Sequence, residues 1–272
     1  MQPEERKPPL GYLMADQASE RQRLRFQSRV WEPAGERLLA RLGDGAGLRA
    51  LDVGCGAMGW LRALSRWVGP TGQVLGSDID ESLLEGAKGL CDEDRLANVT
   101  LEIDDFFATA LEPASFDLVH LRFQIAPLGR ATEQVAIARR LLRPGGWLVL
   151  EDPEAGSWRE NPLSPAAERL RDLILESFAR AGGDFNAGRR LPEYLHGAGI
   201  APSVAAEMVA LEPGHPYLQL PIQFATALRT RLLNLVDAAE LDTLVDAAGH
   251  DLADPTRWGT TFTLVQAWGR VQ

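Results

Sequence analysis

Cysteine is nearly missing: Cys55 and Cys91 are the two in 272 residues. That is too few for a disulfide framework, it suits a reducing compartment, and neither position has metal-ligand spacing, so no metal is expected. Lysine is equally scarce, with Lys7 and Lys88 standing among 28 basic residues, a bias that points to a GC-rich bacterial gene. The basic residues are outnumbered by 38 acidic ones, leaving a net charge of −10. The positive footprint that follows a nucleic-acid backbone is therefore lacking, and no nucleic-acid partner is expected. No apolar run approaches the roughly 20 residues of a membrane span. The stretch Met1–Lys7 also lacks the apolar core of a signal peptide. These absences together predict a cytoplasmic protein without a membrane partner.

What the sequence does have is a glycine-marked stretch, Ala50–Trp60, read as Ala50-Leu51-Asp52-Val53-Gly54-Cys55-Gly56-Ala57-Met58-Gly59-Trp60. An apolar run ends on a carboxylate, three glycines follow, and Trp60, Leu61, Leu64, Trp67 and Val68 then recur at helical spacing. The pattern predicts strand, tight turn, helix. Glycines let the backbone turn left-handed and approach a ligand closely, and the helix start offers unpaired N–H groups and a positive dipole end. A nucleotide-like cofactor fits such a turn.

Strand and helix patterns then alternate, the signature of a parallel sheet with right-handed crossovers. Strands are expected at Gln73–Asp78, Val99–Ile103, Phe116–Arg122 and Trp147–Glu151, with helices through Leu83–Leu90 and Val135–Leu142. Before the first strand, a helix opening near Ser19 should be restarted at Pro33 and end at Gly43, forming a packing layer or a lid. After Asp152 the rhythm changes. Ser164-Pro165 opens a long helix, Leu191–His196 a short one, and Val204–Leu211 reads as a sixth strand with Thr261–Trp268 as the last. Between them, Pro216–Gly249 carries two helical patterns. Asp237, Glu240, Asp242, Asp246, Asp251 and Asp254 have no nearby positive partner in sequence beyond Arg257, as on a solvated face. With 45% apolar residues the chain can bury a substantial core. We divide it into an N-terminal helical lid (1–45), a cofactor-binding core (46–155), and a C-terminal half of the sheet (156–272) with a helical cap at about 212–255.

Ligands in open parallel sheets bind beyond the carboxyl ends of the strands, and three predicted strands there end on carboxylates: Asp52, Asp78 and Asp105. Asp78 presents two acceptor oxygens, suited to the two hydroxyls of a ribose. Asp105 lies where an adenine amino group needs an acceptor, with Phe106 to cover the ring. Asp52 faces a cationic group or orients the loop.

These motifs resemble the class I S-adenosylmethionine-dependent methyltransferases over most of residues 20–155. The first motif is matched by Leu51-Asp52-Val53-Gly54-Cys55-Gly56, the ribose acid by Asp78 in Gly76-Ser77-Asp78-Ile79-Asp80, and the adenine acid by Asp105. Phe116-Asp117-Leu118-Val119-His120 and Leu142-Arg143-Pro144-Gly145-Gly146-Trp147-Leu148 match the approaches to strands four and five. The resemblance implies a Rossmann-like, doubly wound α/β fold: a seven-stranded sheet with an antiparallel last strand, N-terminal helices and a helical insertion before that strand. It implies S-adenosylmethionine as cofactor, with Gly54 and Gly56 near its methionine part and Asp78 on its ribose. Asp52, Cys55, Ile79, Asp105, Phe106 and Leu121 complete the core contacts. Tyr12 and Gln27 resemble contacts from a covering helix. One departure stands out: Met58 occupies a position where the family commonly has glycine, and its side chain there narrows the loop or touches the methionine tail.

The shift to Gly59 also produces Gly54-x-Gly56-x-x-Gly59 with Asp78 nineteen residues on, which meets the dinucleotide fingerprint. An NAD(P)-dependent oxidoreductase is thus one alternative. A methyltransferase-fold protein that catalyses a non-methylating reaction, or binds the cofactor as a regulator, is another. For catalysis the candidates are His215, in a loop entering the cap, His120, in a strand pattern that equally suits a core residue, and Glu151 at the end of strand five. Phe123, Trp158, Phe185, Tyr217 and Phe224 are candidate walls for a small, apolar or aromatic methyl acceptor, and equally candidates for core. Methylation of O, N or C by a monomer or homodimer, in natural-product biosynthesis, is the activity the resemblance implies.

Overall fold

A computed structural model describes residues 18–272, with side chains from Phe26 onward. One helix, Ala18–Leu42 (α1), opens it, and the expected break at Pro33 does not occur: the proline lies inside the helix. An interior proline costs roughly 3 kcal/mol. Burial of Trp31, Ala34, Leu38, Leu39 and Leu42 outweighs it, because each large apolar side chain removed from water contributes about 1.5–3 kcal/mol. Tyr12 lies outside the described residues.

The alternation then follows: Arg49–Val53 (β1), Leu61–Val68 (α2), Gln73–Asp78 (β2), Glu81–Glu93 (α3), Val99–Ile103 (β3), Phe116–Arg122 (β4), the single turn Ile125–Leu128 (α4), Ala131–Leu141 (α5) and Leu142–Glu154 (β5). The second half holds Arg159–Asn161 (β6), Pro165–Arg180 (α6), Leu191–Gly197 (α7), Ser203–Glu207 (β7), Ala210–Leu211 (β8), Leu220–Ala227 (α8), Arg229–Leu232 (α9), Ala238–Leu252 (α10), Trp258–Thr260 (β9) and Thr263–Arg270 (β10). Local chemistry sets the starts. Asp80 accepts from the backbone of Ser82 and Leu83 at the head of α3. Ser164 accepts from Ala167 at the head of α6, with Pro165 in the first turn. Among the described residues no helix is long and apolar enough to cross a membrane.

The main sheet has the order β3-β2-β1-β4-β5-β10-β7. Strands β1 to β5 pair in parallel, and β10 runs antiparallel between β5 and β7, as the resemblance implied. One apolar cluster covers one face through α5 and α7, and another covers the opposite face through α2, α3 and the end of α1. Strand order reverses between β1 and β4, which opens a crevice at their carboxyl ends.

One further expectation needs correction. The stretch Val204–Leu211 is two strands in two sheets: β7 joins the main sheet, while β8 joins a small antiparallel sheet with β9 and β6. The switch falls at Val209, whose N–H donates to the Thr261 hydroxyl at 3.0 Å and whose carbonyl accepts from the Thr261 N–H. The acidic residues of the 216–254 segment lie mostly exposed, as a solvated face requires, and several have partners there. Arg229 holds Asp242 at 2.6 Å, Arg169 approaches Glu240 at 3.7 Å, Ser164 donates to Asp251, and Asp237 caps α10.

A third cluster joins α1 to α6, α8 and α10. Its centre is aromatic: Trp158 lies 5.8 Å from Phe185, 6.0 Å from Phe224 and 6.4 Å from Phe262 between ring centroids. Truncating a buried tryptophan removes its transfer free energy and leaves a cavity. Trp158→Ala should therefore lower the unfolding free energy by about 3–5 kcal/mol in urea titrations; a loss below about 1 kcal/mol would contradict this packing.

Candidate active site

A cavity of about 470 Å³ lies over the carboxyl ends of β1, β2, β3 and β4, with Gln27 and Ser28 of α1 at its edge. The glycine loop forms its floor. Gly54, Gly56 and Gly59 have φ of 60°, 54° and 46°, the left-handed region that disfavours side chains. A Cβ on Gly59 would strike the Asp52 carboxylate and the Cys55 carbonyl, and one on Gly54 would strike the Gln124 side chain. Asp52 lines the cavity, and its Oδ2 accepts from the Trp60 N–H at 2.6 Å, which orients the loop. Met58 turns into the core with Trp60 and Leu61 and is not a cavity wall.

The other strand-end acids converge on the same space. Asp78 Oδ2 accepts from the Gly56 N–H at 2.9 Å and Oδ1 from the Asp80 N–H at 3.0 Å. Burial pushes its pKa up against the lowering effect of those donors, and each oxygen keeps a further lone pair for a ligand hydroxyl. Asp105 Oδ1 accepts from the Phe107 N–H at 3.0 Å. Beside it, burial raises the pKa of Asp104, whose Oδ2 is buried without a partner among the described residues. Ile79, Phe106 and Cys55 line the cavity as expected. Burial pushes the Cys55 thiol well up, which disfavours the thiolate.

Several predicted positions are elsewhere. Leu121 is fully buried in the core and does not line the cavity, because successive strand residues face opposite sides and its neighbour Arg122 takes the cavity side. His120 and Glu151 are likewise fully buried, so neither meets a ligand as a catalytic residue. They form a polar row: His120 Nδ1 is 2.7 Å from Asp52 Oδ1, Nε2 is 3.0 Å from Glu151 Oε2, and Gln266 donates to Glu151 Oε1 at 2.5 Å. Burial alone would lower the pKa of His120, but its bonds to Asp52 and Glu151 raise it above the ordinary value. Burial would raise that of Glu151, and its bonding to His120 brings it below. The ring of Trp60 stacks on His120 at 3.7 Å.

His215 stands outside the walls too: Nδ1 accepts from the Tyr217 N–H at 3.2 Å, and its ring lies 5.7 Å from Phe26 of α1. Of the five proposed acceptor walls, Phe123 alone lines the cavity. Trp158, Phe185, Tyr217 and Phe224 are core, because α6 and the cap helices close over them. Phe123 has φ of 56°, uncommon for a bulky residue and costing of order 1–3 kcal/mol. It is held by its N–H bond to the Glu151 carbonyl at 2.8 Å and by an edge-on contact with Phe262.

Reasoning from sequence passed over Ser28, Phe107, Arg122, Gln124 and Arg130, all cavity-lining. Arg122 and Gln124 had a signal, since they stand at the carboxyl end of a predicted strand. Arg130 had none: it reaches the cavity by stacking on Phe107 at 3.7 Å while pairing with Glu133.

Comparison with known proteins agrees with the fold. A family model described as a methyltransferase domain matches residues 44–182, just over half of the chain. Demethylmenaquinone methyltransferase of Staphylococcus aureus is 36% identical over 123 residues, which are 45% of this chain and 49% of that protein. The chain thus spans about half the length of the curated relatives it matches. The crystal structure of a SAM-dependent methyltransferase from Aquifex aeolicus has a TM-score of 0.52 at 20% identity, covering 71% of this chain and 92% of that one. Haemonchus contortus phosphoethanolamine N-methyltransferase 2, in complex with S-adenosyl-L-methionine, has a TM-score of 0.52 at 22% identity, covering 88% and 53%. The family match removes the oxidoreductase alternative.

Burial also pushes the Asp152 carboxyl from 3.8 up to about 8, against the backbone N–H groups of Ala126 and Ile125 that favour its anion. A raised pKa contributes stability below the unfolded value and loses it as pH rises through the folded one. Relative to Asp152→Asn, the wild type should lose stability steadily between pH 3.8 and about 8 in urea unfolding; a pH-independent difference would refute it. His120→Leu strands two buried carboxylates and should cost about 3–5 kcal/mol.

Proposed function

Since the chain belongs to the class I S-adenosylmethionine-dependent methyltransferases, we propose that it transfers a methyl group to a small, apolar or aromatic acceptor. One observation carries this reading: a single cavity has the carboxylates Asp78 and Asp105 at one end and the aromatic wall Phe123 at another, over an open glycine loop. The cofactor supplies a methyl group activated on a sulfonium sulfur. The residues present fit it: Asp78 offers acceptors to ribose hydroxyls, and Asp105 with Phe106 suits the adenine. The backbone of Gly54 and Gly56, which lines the cavity without side chains, suits the methionine part.

The chain's own contribution is orientation and exclusion of water. Aligning the acceptor atom in line with the breaking bond can supply roughly 7–11 kcal/mol. A general base adds about 10²–10⁴-fold, and among the described residues no histidine lines the cavity. We assign no proton-abstraction step to a particular side chain. Phe123, Leu128 and Phe107 favour an apolar body. O-, N- or C-methylation in natural-product biosynthesis, by a cytoplasmic monomer or homodimer capped by residues 212–255, is part of the same proposal. A relative named for demethylmenaquinone makes that molecule one acceptor to try.

Calorimetry should show S-adenosylhomocysteine binding, weakened at least tenfold by Asp78→Ala, because hydrogen bonds to a charged group contribute about 1.5–3 kcal/mol. Incubation with methyl-labelled cofactor and a panel of phenols, amines, polyketide-like acids and demethylmenaquinone should label an acceptor. Tight cofactor binding with no labelled product from any of them would favour a non-methylating role.

A further inference from the structure

Arg122 is the one cavity-lining cation, among the described residues, whose guanidinium is both buried and incompletely paired. Its side chain is 6% exposed, and Nη2 donates to the Gly59 carbonyl at 3.1 Å. The nearest carboxylate, Glu151, stands 4.0 Å from Nε, and both its oxygens are committed, one to His120 and one to Gln266. Nη1 is buried with no partner. An unpaired donor on a buried charge is costly, and a guanidinium offers a rigid fork matched to a carboxylate. Both cavity cations lie over a phenylalanine ring, Arg122 over Phe123 and Arg130 over Phe107, but Arg130 is by contrast paired with Glu133 through two hydrogen bonds.

We infer that Arg122 Nη1 receives an anionic oxygen, a carboxylate or equivalent acid group, of a molecule bound in the cavity. The inference rests on the methyltransferase reading. Two ligand parts present such an oxygen there: the amino-acid carboxylate of the cofactor, or an acidic group on the acceptor. Either would complete the fork that Gly59 begins, and would make the same residue that steadies the end of the glycine loop a reader of ligand charge.

The test is calorimetry on the wild type, Arg122→Met and Arg122→Lys. The probes are S-adenosylhomocysteine and 5′-methylthioadenosine, which keeps the nucleoside and lacks the amino acid. If the cofactor carboxylate is the partner, Arg122→Met loses at least about tenfold in affinity for the first and about none for the second, with Arg122→Lys between. If the acceptor supplies it, both nucleosides bind as in the wild type. In the presence of S-adenosylhomocysteine, 4-hydroxybenzoate then weakens in Arg122→Met while phenol does not. Equal weakening of both nucleosides would make Arg122 a support of the loop and overturn the inference. Unchanged nucleoside binding without acid-dependent binding of 4-hydroxybenzoate would overturn it as well. Failure of the wild type to bind either nucleoside would instead remove the methyltransferase reading.

Discussion

The buried carboxylate of Asp52 is the constraint on which the site depends. One oxygen fixes the backbone where the glycine loop becomes α2, and the other holds His120 on the neighbouring strand. The bonds between Asp52 and His120 and between Gln266 and Glu151 follow from pairing: Asp52 sits opposite His120 in the β1–β4 register, and Glu151 sits opposite Gln266 in the β5–β10 register. Gln266 continues the row to the Ala34 carbonyl of α1 at 3.3 Å. Loop, sheet and covering helix are thus joined by one line of polar groups across an otherwise apolar interior. Buried charges are tolerated when paired and hydrogen-bonded, and here the His120 ring lies hydrogen-bonded between two carboxylates.

That arrangement explains the departure in the loop. Where Met58 replaces the expected glycine, its side chain goes into the core and stays out of the cavity, while a Cβ on Gly59 would strike Asp52. Spacing alone made the loop look like a dinucleotide fingerprint. The contact with Asp52 accounts for the third glycine without a second phosphate.

Much of the fold was legible because its signals are local. Strand-ending carboxylates, a serine–proline helix start and alternating periodicities each act within a few residues, and they located β1 to β5, α6 and Asp78 at the cavity. The acceptor side was not legible in the same way. Trp158, Phe185, Tyr217 and Phe224 carry the composition of a binding wall, yet whether an aromatic side chain faces a cavity or a neighbouring helix is decided by tertiary packing. Pro33 and Val209 show the same limit from opposite directions: one break predicted by residue type was overridden by burial, and one break without a residue signature was imposed by Thr261. His120 and Glu151 were drawn toward catalysis by residue type, although their work is done inside the sheet.

The polar row also bears on how such a protein can diverge. Asp52, His120, Glu151 and Gln266 are far apart in sequence, but replacing one leaves a buried charge or donor on the next. Coupled neighbours do not behave additively, so a lineage can abandon the row only by changing several positions in company. Surface residues and cavity-lining side chains outside the row, such as Ile79 and Phe107, are under no such joint obligation. The lining of the cavity can therefore change one residue at a time around an interior that is inherited as a unit.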